Sequence, residues 1–277
     1  MPEGPEIKRA ADAIAKAVVY QPITEIFFAF EHLKPYESTL AEATVIAVEP
    51  RGKALLTRFS NQLNIYSHNQ LYGIWNIRRP YAYPKTKRQL RLAIDTTKAS
   101  ALLYSASDID VLPDTELANH PFLKRIGPDV LHPETTATQI VQRLTNKSFY
   151  RRRLSTLLLD QQFLSGLGNY LRSEILFVAG VHPSLRPVDC TDEQIVILAQ
   201  MAIALPRQSY ETGGITNDLD RVARLKSDGF TRSQYRYFVF SRANKPCYEC
   251  GTTIVKDRTG GRRYYYCPTC QPLPETQ

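Results

Sequence analysis

The sequence predicts an α+β protein of several domains, in which an N-terminal helix and an antiparallel β-sandwich precede a helical region and a four-cysteine β-hairpin. Three observations support this fold class. Short β-branched and aromatic runs crowd the first part of the chain, helical periods replace them near residue 130, and two cysteine pairs lie close to the end. With 277 residues, of which 43% are hydrophobic, the chain is long enough for two domains and a small module.

The first element is an amphipathic helix. Its apolar residues recur at i, i+4, i+7 and i+11, namely Ile7, Ala11, Ile14 and Val18. Acidic residues in a first turn suit the positive end of the helix dipole. An ordinary helix start therefore accounts for Glu3, Glu6 and Pro5, but it gives no role to Pro2, which follows Met1 directly.

Seven short runs after this helix predict the sandwich. They cover residues 23–30, 44–50, 53–59, 63–68, 72–78, 90–95 and 100–106. Turn signals such as Arg51-Gly52 and Ser60-Asn61 separate them at close spacing. We therefore expect an antiparallel sandwich or barrel without βαβ units.

The pattern changes to helical periods beyond the proline-containing stretch 127–136. Four such periods cover residues 137–144, 153–163, 169–180 and 192–205. We expect domains at 1–127 and 135–237, a linker at 128–134 and a hairpin domain at 238–277. The GLGN turn at 166–169 feeds a helix whose first amides can hold a phosphate, although a plain helix–helix turn is the simpler interpretation.

Basic residues are concentrated near the end of the chain. Between Arg221 and Arg263 there are eleven basic and three acidic residues, a difference equal to the whole net charge of +8. Aromatic residues are interleaved with them, which favours a polyanion-binding surface, and a solvated basic face is the alternative. No apolar leader and no stretch of membrane-spanning length is present, so we expect a soluble cytoplasmic protein that does not bind membranes.

Four of the five cysteines form the pairs Cys247/Cys250 and Cys267/Cys270, in the pattern C-x2-C, sixteen residues, C-x2-C. Two such pairs make a tetrahedral thiolate cage for zinc, and the glycines between them suit the tip of a hairpin. Disulfides are a poor alternative without a secretory signal. Since all four ligands are sulfur, we expect one structural zinc ion, with Cys190 left as an ordinary thiol.

Three motifs stand together in this chain: MPEGPE at the start, GLGNYLRSEIL in the helical region and the four-cysteine hairpin at the end. Jointly they resemble the bacterial formamidopyrimidine-DNA glycosylase/endonuclease VIII family, and most closely its endonuclease VIII branch. The resemblance runs from residue 2 to about Cys270. It implies a helix-two-turn-helix in the helical domain and a monomeric, nucleoid-associated base excision repair enzyme. Double-stranded DNA with a damaged base would cross the cleft between the domains.

The resemblance also implies catalytic roles near the N-terminus. Once Met1 is removed, Pro2 matches the family's amine nucleophile, which forms a Schiff base and cuts the strand by β,δ-elimination. Glu3 matches the general acid/base, and Glu6 matches a second acidic position, with the first-turn role as its competitor. Lys53 matches a lysine that reaches the active site and a DNA phosphate, and a surface lysine at a turn is the plain alternative.

In the helical domain and hairpin, the resemblance implies phosphate-binding residues. Asn169 matches the helix-two-turn-helix residue beside the lesion. Arg262 matches the hairpin arginine that binds phosphates beside the lesion, to which the resemblance gives both a catalytic and a DNA-binding role. Arg263 is the alternative if the register of the hairpin is shifted by one residue. Glu174 matches a carboxylate beneath the site, for which a helix-surface acid is the plain interpretation.

The contiguous Gln70-Leu71-Tyr72 resembles the residues that endonuclease VIII inserts into the gap left by a flipped base, whereas Leu71 and Tyr72 packed in the core is the alternative. This match predicts oxidised pyrimidines as substrates. The basic span 211–237 departs from that branch, and its GGIT start resembles the purine-lesion branch. A glycosylase for oxidised purines and a non-catalytic zinc-containing DNA-binding protein are therefore the rival functions.

Overall fold

The computed structural model describes residues 2–273. Contacts divide the chain into two compact units, Met1–Arg125 and Ile126–Gln277, and each unit has a hydrophobic core of its own. The hairpin with the four cysteines belongs to the second unit. None of the helices within residues 2–273 combines the length and the apolar character needed to cross a bilayer. The domain boundaries expected from the sequence stay predictions.

The first unit is a β-sandwich with a helix packed against it. Its helices are α1 (Gly4–Val18) and α2 (Glu37–Ala41), with 3-10 turns at Glu31–Tyr36 and Asp114–Asn119. Its strands are β1 (Ile23–Phe28), β2 (Val45–Arg51), β3 (Ala54–Phe59), β4 (Leu63–His68), β5 (Ile74–Arg78), β6 (Leu90–Thr96), β7 (Ser100–Tyr104) and β8 (Asp108–Pro113). They form two antiparallel sheets in the orders β1-β6-β7-β5 and β2-β3-β4-β8. The predicted helix and sandwich are confirmed.

Helix α1 supplies one side of the first core. The four predicted apolar residues Ile7, Ala11, Ile14 and Val18 are all buried there, together with residues of both sheets. Burying an aliphatic side chain of this size stabilises a fold by roughly 1.5–3 kcal/mol. The helix start is thereby fixed to the sandwich, because α1 contacts both β2 and β3.

Three details of this unit differ from the expectation. Strand β8 was not predicted, because Asp108 and Asp110 interrupt a run of only six residues. Residues 31–41 fold into two short helical turns that bury Leu33 and Leu40, although no long apolar period marks them. The run predicted at 72–78 becomes a strand only at Ile74.

The second unit combines helices with a two-stranded hairpin. Its helices are α3 (Ala137–Leu144), α4 (Leu154–Leu157), α5 (Asn169–Val178), α6 (Asp192–Glu211), α7 (Leu219–Ser227) and α8 (Arg232–Tyr235), with a 3-10 turn at Pro187–Asp189. The hairpin pairs β9 (Val255–Thr259) with β10 (Arg262–Tyr266) around a Gly260-Gly261 turn, as predicted. Helix α6 contacts α3 and α5, and β10 contacts α5.

Two segments of the second unit depart from the sequence prediction. Only Leu154–Leu157 of the predicted helical period 153–163 is α-helical. The carboxylate of Asp160 accepts the Gln162 N–H (2.9 Å), and such local bonds compete with helical ones. The span 211–237, where the sequence showed no helical period, contains helices α7 and α8.

Candidate active site and nucleic-acid interface

The N-terminal segment places Pro2 and Glu3 at the start of helix α1. Pro2 is half-buried and Glu3 is only 4% exposed, which is rare for a carboxylate. The Glu6 carboxylate accepts the Glu3 N–H (3.0 Å) and pairs with Arg9 (2.9 Å). Glu6 therefore has a structural task in the first turn, and it fixes the backbone of Glu3.

Lys53 lies in the two-residue turn between β2 and β3. Gly52 has φ +63°, which suits the first position of a type II′ hairpin turn. The lysine is only 6% exposed, so the plain interpretation as a surface lysine is wrong. A buried ammonium group requires polar partners, so this lysine does not serve merely as a solvated surface charge.

Residues 69–73, which we call the wedge loop, join β4 to β5. Leu71 and Tyr72 are 55% and 68% exposed, so the alternative that packs them in the core is wrong. The loop is tight, because the Gly73 N–H donates to the Asn69 carbonyl at 2.7 Å. A Cβ on Gly73 would lie 2.5 Å from the same oxygen, so only glycine fits there. Exposed apolar side chains on a rigid loop suit insertion between bases.

Gln70 holds the wedge loop to its surroundings. Its backbone has φ +50°, its N–H donates to His68 Nδ1 (3.0 Å) and its Oε1 accepts the Ser107 hydroxyl (2.6 Å). These bonds fix the first of the three predicted inserting residues and leave Leu71 and Tyr72 at the tip.

His68 was not singled out from the sequence, although it lies near both Lys53 and the wedge loop. Burial lowers the pKa of His68, the charge of Lys53 lowers it further, and Asp108 opposes them. The ring is therefore neutral near pH 7, and since Nδ1 accepts the Gln70 N–H, Nε2 carries the proton. The position of His68 beside Lys53 depends on strand register, which pairs His68 with Ala54, the residue that follows the lysine turn.

In the second unit, the predicted GLGN turn leads into helix α5. Gly166 has φ +96° and donates its N–H to Gln161 Oε1 (3.1 Å), and Gly168 is the N-cap. Asn169 is the first helical residue and is half-buried. Its amide side chain therefore lies beside the first backbone N–H groups of the helix, an arrangement that suits an anion.

The hairpin presents Arg262 and Arg263 at the start of β10. Both side chains are exposed. Alternation along the strand directs them to opposite faces, so the two arginines do not serve one surface. The hairpin is fixed to helix α5, because the Tyr265 N–H donates to Ser173 Oγ at 3.2 Å.

Arg172 links the two predicted phosphate-binding elements, and sequence reasoning missed it. Its side chain is fully buried, donates to the Arg263 carbonyl (2.7 Å) and the Ser155 carbonyl, and lies 3.5 Å from Asn169 Oδ1. An arginine three residues into a helix resembles an ordinary surface cation, so its spacing carries no signal. The contact with Arg263, across 91 residues of sequence, shows that this arginine joins helix α5 to the hairpin.

Glu174 is a buried anchor rather than the helix-surface acid of the plain interpretation. Its carboxylate accepts the Thr216 hydroxyl (2.5 Å) and the backbone N–H groups of Phe238, Val239 and Phe240 (2.8 to 2.9 Å). Burial raises the pKa of Glu174, and these four donors oppose the rise. The residue therefore fixes the chain that leads from the helices to the hairpin.

The four predicted cysteine ligands converge in space. The sulfur atoms of Cys247, Cys250, Cys267 and Cys270 all lie within 4.8 Å of one another, and three pairs are separated by 3.4 to 3.9 Å. A tetrahedron with zinc–sulfur bonds of about 2.3 Å requires about 3.8 Å between sulfurs, so the cage fits one zinc ion. Four thiolates leave no open position, so the zinc is structural.

Comparison with known families accounts for nearly the whole chain. Residues 1–106 match the family described as formamidopyrimidine-DNA glycosylase N-terminal domain, and residues 126–220 match the formamidopyrimidine-DNA glycosylase H2TH domain. Residues 244–273 match the zinc finger found in FPG and IleRS. All three predicted structural parts therefore correspond to known domains.

Similar proteins and structures agree with these matches. Endonuclease 8 of Escherichia coli K12 is 46% identical over 271 residues, which cover 98% of this chain and 100% of the relative, and endonuclease 8 of Klebsiella pneumoniae is 45% identical over the same coverage. MutM in complex with DNA containing carbocyclic 8-oxo-G has a TM-score of 0.81 at 20% identity, and it covers 98% of this chain and 100% of that one. The complex between Lactococcus lactis Fpg and abasic-site DNA has a TM-score of 0.80 at 20% identity and the same coverage.

The class of protein is defined by three parts: a β-sandwich whose N-terminal helix is preceded by Pro2, a helix-two-turn-helix and a zinc hairpin. Together they are typical of a DNA glycosylase with abasic-site lyase activity. The chain belongs to the formamidopyrimidine-DNA glycosylase/endonuclease VIII family. It is accordingly a DNA repair enzyme with glycosylase and abasic-site lyase activities, and the rival interpretation as a non-catalytic zinc-containing DNA-binding protein is wrong.

Proposed function

We propose that this enzyme excises oxidised pyrimidines from double-stranded DNA through a Schiff base at Pro2. The proposal rests on Pro2 standing directly before the buried Glu3 at the start of helix α1. Removal of Met1 makes the Pro2 nitrogen a secondary amine. The pKa of a terminal amine is about 7.7 to 8.0, against about 10.4 for lysine, so a useful fraction is unprotonated at neutral pH. The positive end of the helix dipole favours the neutral form further.

The reaction follows from the properties of a secondary amine. The nitrogen lone pair forms a bond to C1′ of the damaged nucleotide, and the bond to the base breaks with the electron pair leaving on the base. Opening of the sugar ring gives an iminium ion, which stays cationic because the amine is secondary. This cation accepts electrons during β-elimination, which breaks the bond to the 3′ phosphate, and then δ-elimination, which breaks the bond to the 5′ phosphate. Hydrolysis of the iminium returns the amine.

The other residues of the first unit supply protons and charge. Glu3 protonates the sugar ring oxygen and later moves protons during elimination, a role that suits a buried carboxyl group next to the nucleophile. Glu6 holds the backbone of Glu3 in place. Lys53 provides the cation beside the reacting sugar and its phosphate, and its burial strengthens that electrostatic interaction.

The second unit binds the DNA backbone. Asn169 and the start of helix α5 contact a phosphate beside the lesion, and Arg262 contacts phosphates from the hairpin. Arg172 keeps these two elements together, and the zinc ion keeps the hairpin folded. We propose that the protein acts as a monomer in the bacterial cytoplasm, on the DNA of the nucleoid.

The wedge loop supports pyrimidine lesions as substrates. Flipping a nucleotide costs a few kcal/mol in lost stacking and pairing, and inserted side chains offset part of that cost. Leu71 and Tyr72 are contiguous and exposed, as expected for the endonuclease VIII branch. Lesions that have lost ring planarity, such as thymine glycol and dihydrouracil, stack poorly and are flipped at lower cost. Oxidised purines are the second candidate class, favoured by the GGIT start of the span 211–237.

Borohydride trapping tests the proposal. Incubation with abasic DNA and borohydride should link the protein covalently to the DNA. Protein acetylated at its N-terminus after removal of Met1 has an amide at the Pro2 nitrogen and no other α-amine, and it should not be trapped. Glu3→Gln should lose base excision while it retains part of the cleavage at ready-made abasic sites. Trapping that persists with the blocked N-terminus would contradict the proposal and would make Lys53 the first suspect.

A further inference from the structure

The loop between β5 and β6, residues 79–89, carries a concentration of positive charge that the mechanism above does not use. Its four cationic residues are all exposed: Arg79, Lys85, Lys87 and Arg88. No acidic residue occurs between Glu49 and Asp95, so the sequence nearby contains nothing to neutralise them. Like charges this close repel one another in the free protein, and a polyanion relieves that repulsion.

Hydrogen bonds hold this β5–β6 loop against the sheet that contains β5 and β6. The Tyr81 N–H donates to Ser100 Oγ (2.9 Å), and the Tyr81 hydroxyl donates to Thr24 Oγ1 (2.9 Å). The Tyr83 hydroxyl donates to the fully buried carboxylate of Asp95. Two tyrosines therefore anchor the loop while its lysines remain in solvent.

The path of the β5–β6 loop leads to the wedge loop. It leaves β5 at Arg78, which lies opposite Ser100, and it enters β6 at Leu90, which lies opposite Tyr104. These levels of the sheet are four residues apart, which is about 13 Å at strand spacing. Arg88 ends this path at the wedge loop, because its Nη1 donates to the Tyr72 carbonyl at 2.6 Å.

We infer that the β5–β6 loop is a second DNA-binding surface, on which Lys85, Lys87 and Arg88 contact backbone phosphates next to the point where the wedge loop enters the duplex. The inference rests on the proposed function, since it takes the wedge loop as the inserted element. Phosphates of one strand follow each other at about 3.4 Å along the helix axis, so the path of about 13 Å faces about four of them. These contacts raise affinity and fix register without reading the base.

The salt dependence of DNA binding tests this surface. The probe is a duplex with one tetrahydrofuran abasic analogue, and the variant is Lys85→Ala/Lys87→Ala in the full chain. Each phosphate contact contributes about 0.9 to the slope of log K against log salt concentration, so the slope should fall by nearly two. Affinity should weaken by roughly 60-fold at about 0.1 M salt, which is the factor that a slope change of about 1.8 gives at that concentration. The control Lys16→Ala/Lys98→Ala removes the same charge from two exposed lysines of the same unit.

The outcomes separate the inference from the proposed function. Equal slopes for the two double variants overturn the inference. It is also overturned if Lys85→Ala/Lys87→Ala loses binding to duplex RNA or heparin but binds DNA as tightly as the wild-type protein. If the salt slope falls in Lys85→Ala/Lys87→Ala and not in the control, but the wild-type protein is not trapped by borohydride, the surface stands and the Pro2 mechanism fails. If the wild-type protein is trapped and the slopes are equal, the mechanism stands and the surface fails.

Discussion

Two regions of this chain are strongly basic, and they use their charge differently. The span 221–263 has eleven basic residues, but several are tied into the fold. Arg242 is 6% exposed and donates to two backbone carbonyls, and Arg221 pairs with Glu249 at 2.8 Å. The span 50–94 has nine basic residues and no acid, and the four cations of its β5–β6 loop are exposed.

Charge counted along a sequence is therefore not the same as charge that is exposed and able to contact a ligand. The net charge of +8 equals that of the span 221–263, which makes the rest of the chain look neutral. Acidic residues elsewhere hide the second basic region in that sum. Burial and hydrogen bonding decide which cations remain available for phosphates.

Removal of the zinc ion is the most severe test of the basic span 221–263, which includes the hairpin. Cys267→Ser should abolish zinc binding and with it DNA binding, because the hairpin that carries Arg262 folds around the metal. The first unit has its own core and should stay folded. Metal analysis, a DNA-binding assay and hydrogen exchange of the α1 amides check the three parts. A metal-free preparation with full affinity for DNA would contradict the assigned role of the hairpin.

A large effect of a different kind is expected from the wedge loop. Leu71→Ala should slow excision of dihydrouracil by about tenfold or more, since truncating an inserted side chain loses about 1.4 kcal/mol or more of the energy that offsets flipping. Cleavage at a ready-made abasic site should change much less, because no base has to be flipped. The ratio of the two rates is the measurement. An equal loss on both substrates would contradict insertion, and faster release of 8-oxoguanine than of thymine glycol would place the enzyme with the purine branch.

The hairpin arginines should give a moderate effect without lesion selectivity. Arg262→Ala should weaken binding to damaged and undamaged duplexes equally and reduce the salt slope by about 0.9, since a phosphate contact carries no base information. Arg263→Ala is the matched control, because its side chain lies on the opposite face of β10. If Arg263→Ala reduces the slope and Arg262→Ala does not, the two assignments must be exchanged.

The smallest effect concerns pH. The pKa of His68 in the first unit and that of His182 in the second are both lowered by burial. A histidine with a lowered folded pKa binds fewer protons than in the unfolded chain, so its stabilisation is complete above about 6.5 and is lost as pH falls below that value. Thermal unfolding should therefore occur at lower temperature at pH 5.5 than at pH 8.

Asparagine at position 68 separates the two histidines. His68→Asn keeps an acceptor for the Gln70 N–H and should remove part of the pH dependence, and His182→Asn should remove another part. An unchanged pH dependence in His68→Asn would show that His68 is not held neutral beside Lys53.

Much of this fold could be predicted from the sequence because local patterns determine it. The apolar period of α1, the alternation of the strands and the spacing of the cysteines each report a local constraint. Strand β8 and the turns at 31–41 escaped, since tertiary packing of Leu33, Leu40 and their neighbours stabilises them more than local propensity does.

The residues of the candidate site also differ in whether a local sequence pattern or a tertiary contact reveals them. Pro2 and the four cysteines stand in motifs that carry their chemistry. His68, Arg172 and the β5–β6 loop do not, because their roles depend on strand register, on a contact across 91 residues and on exposure. The burial of Lys53 is also invisible in the sequence, where a lysine at a turn looks like a surface residue.

The identity of the residue that carries the reduced DNA adduct tests the central claim most directly. After borohydride trapping on abasic DNA, the protein is digested and the modified peptide is sequenced by mass spectrometry. We expect the sugar remnant on the nitrogen of Pro2, in a peptide that lacks Met1. An adduct on Lys53, or on any other lysine, would contradict it.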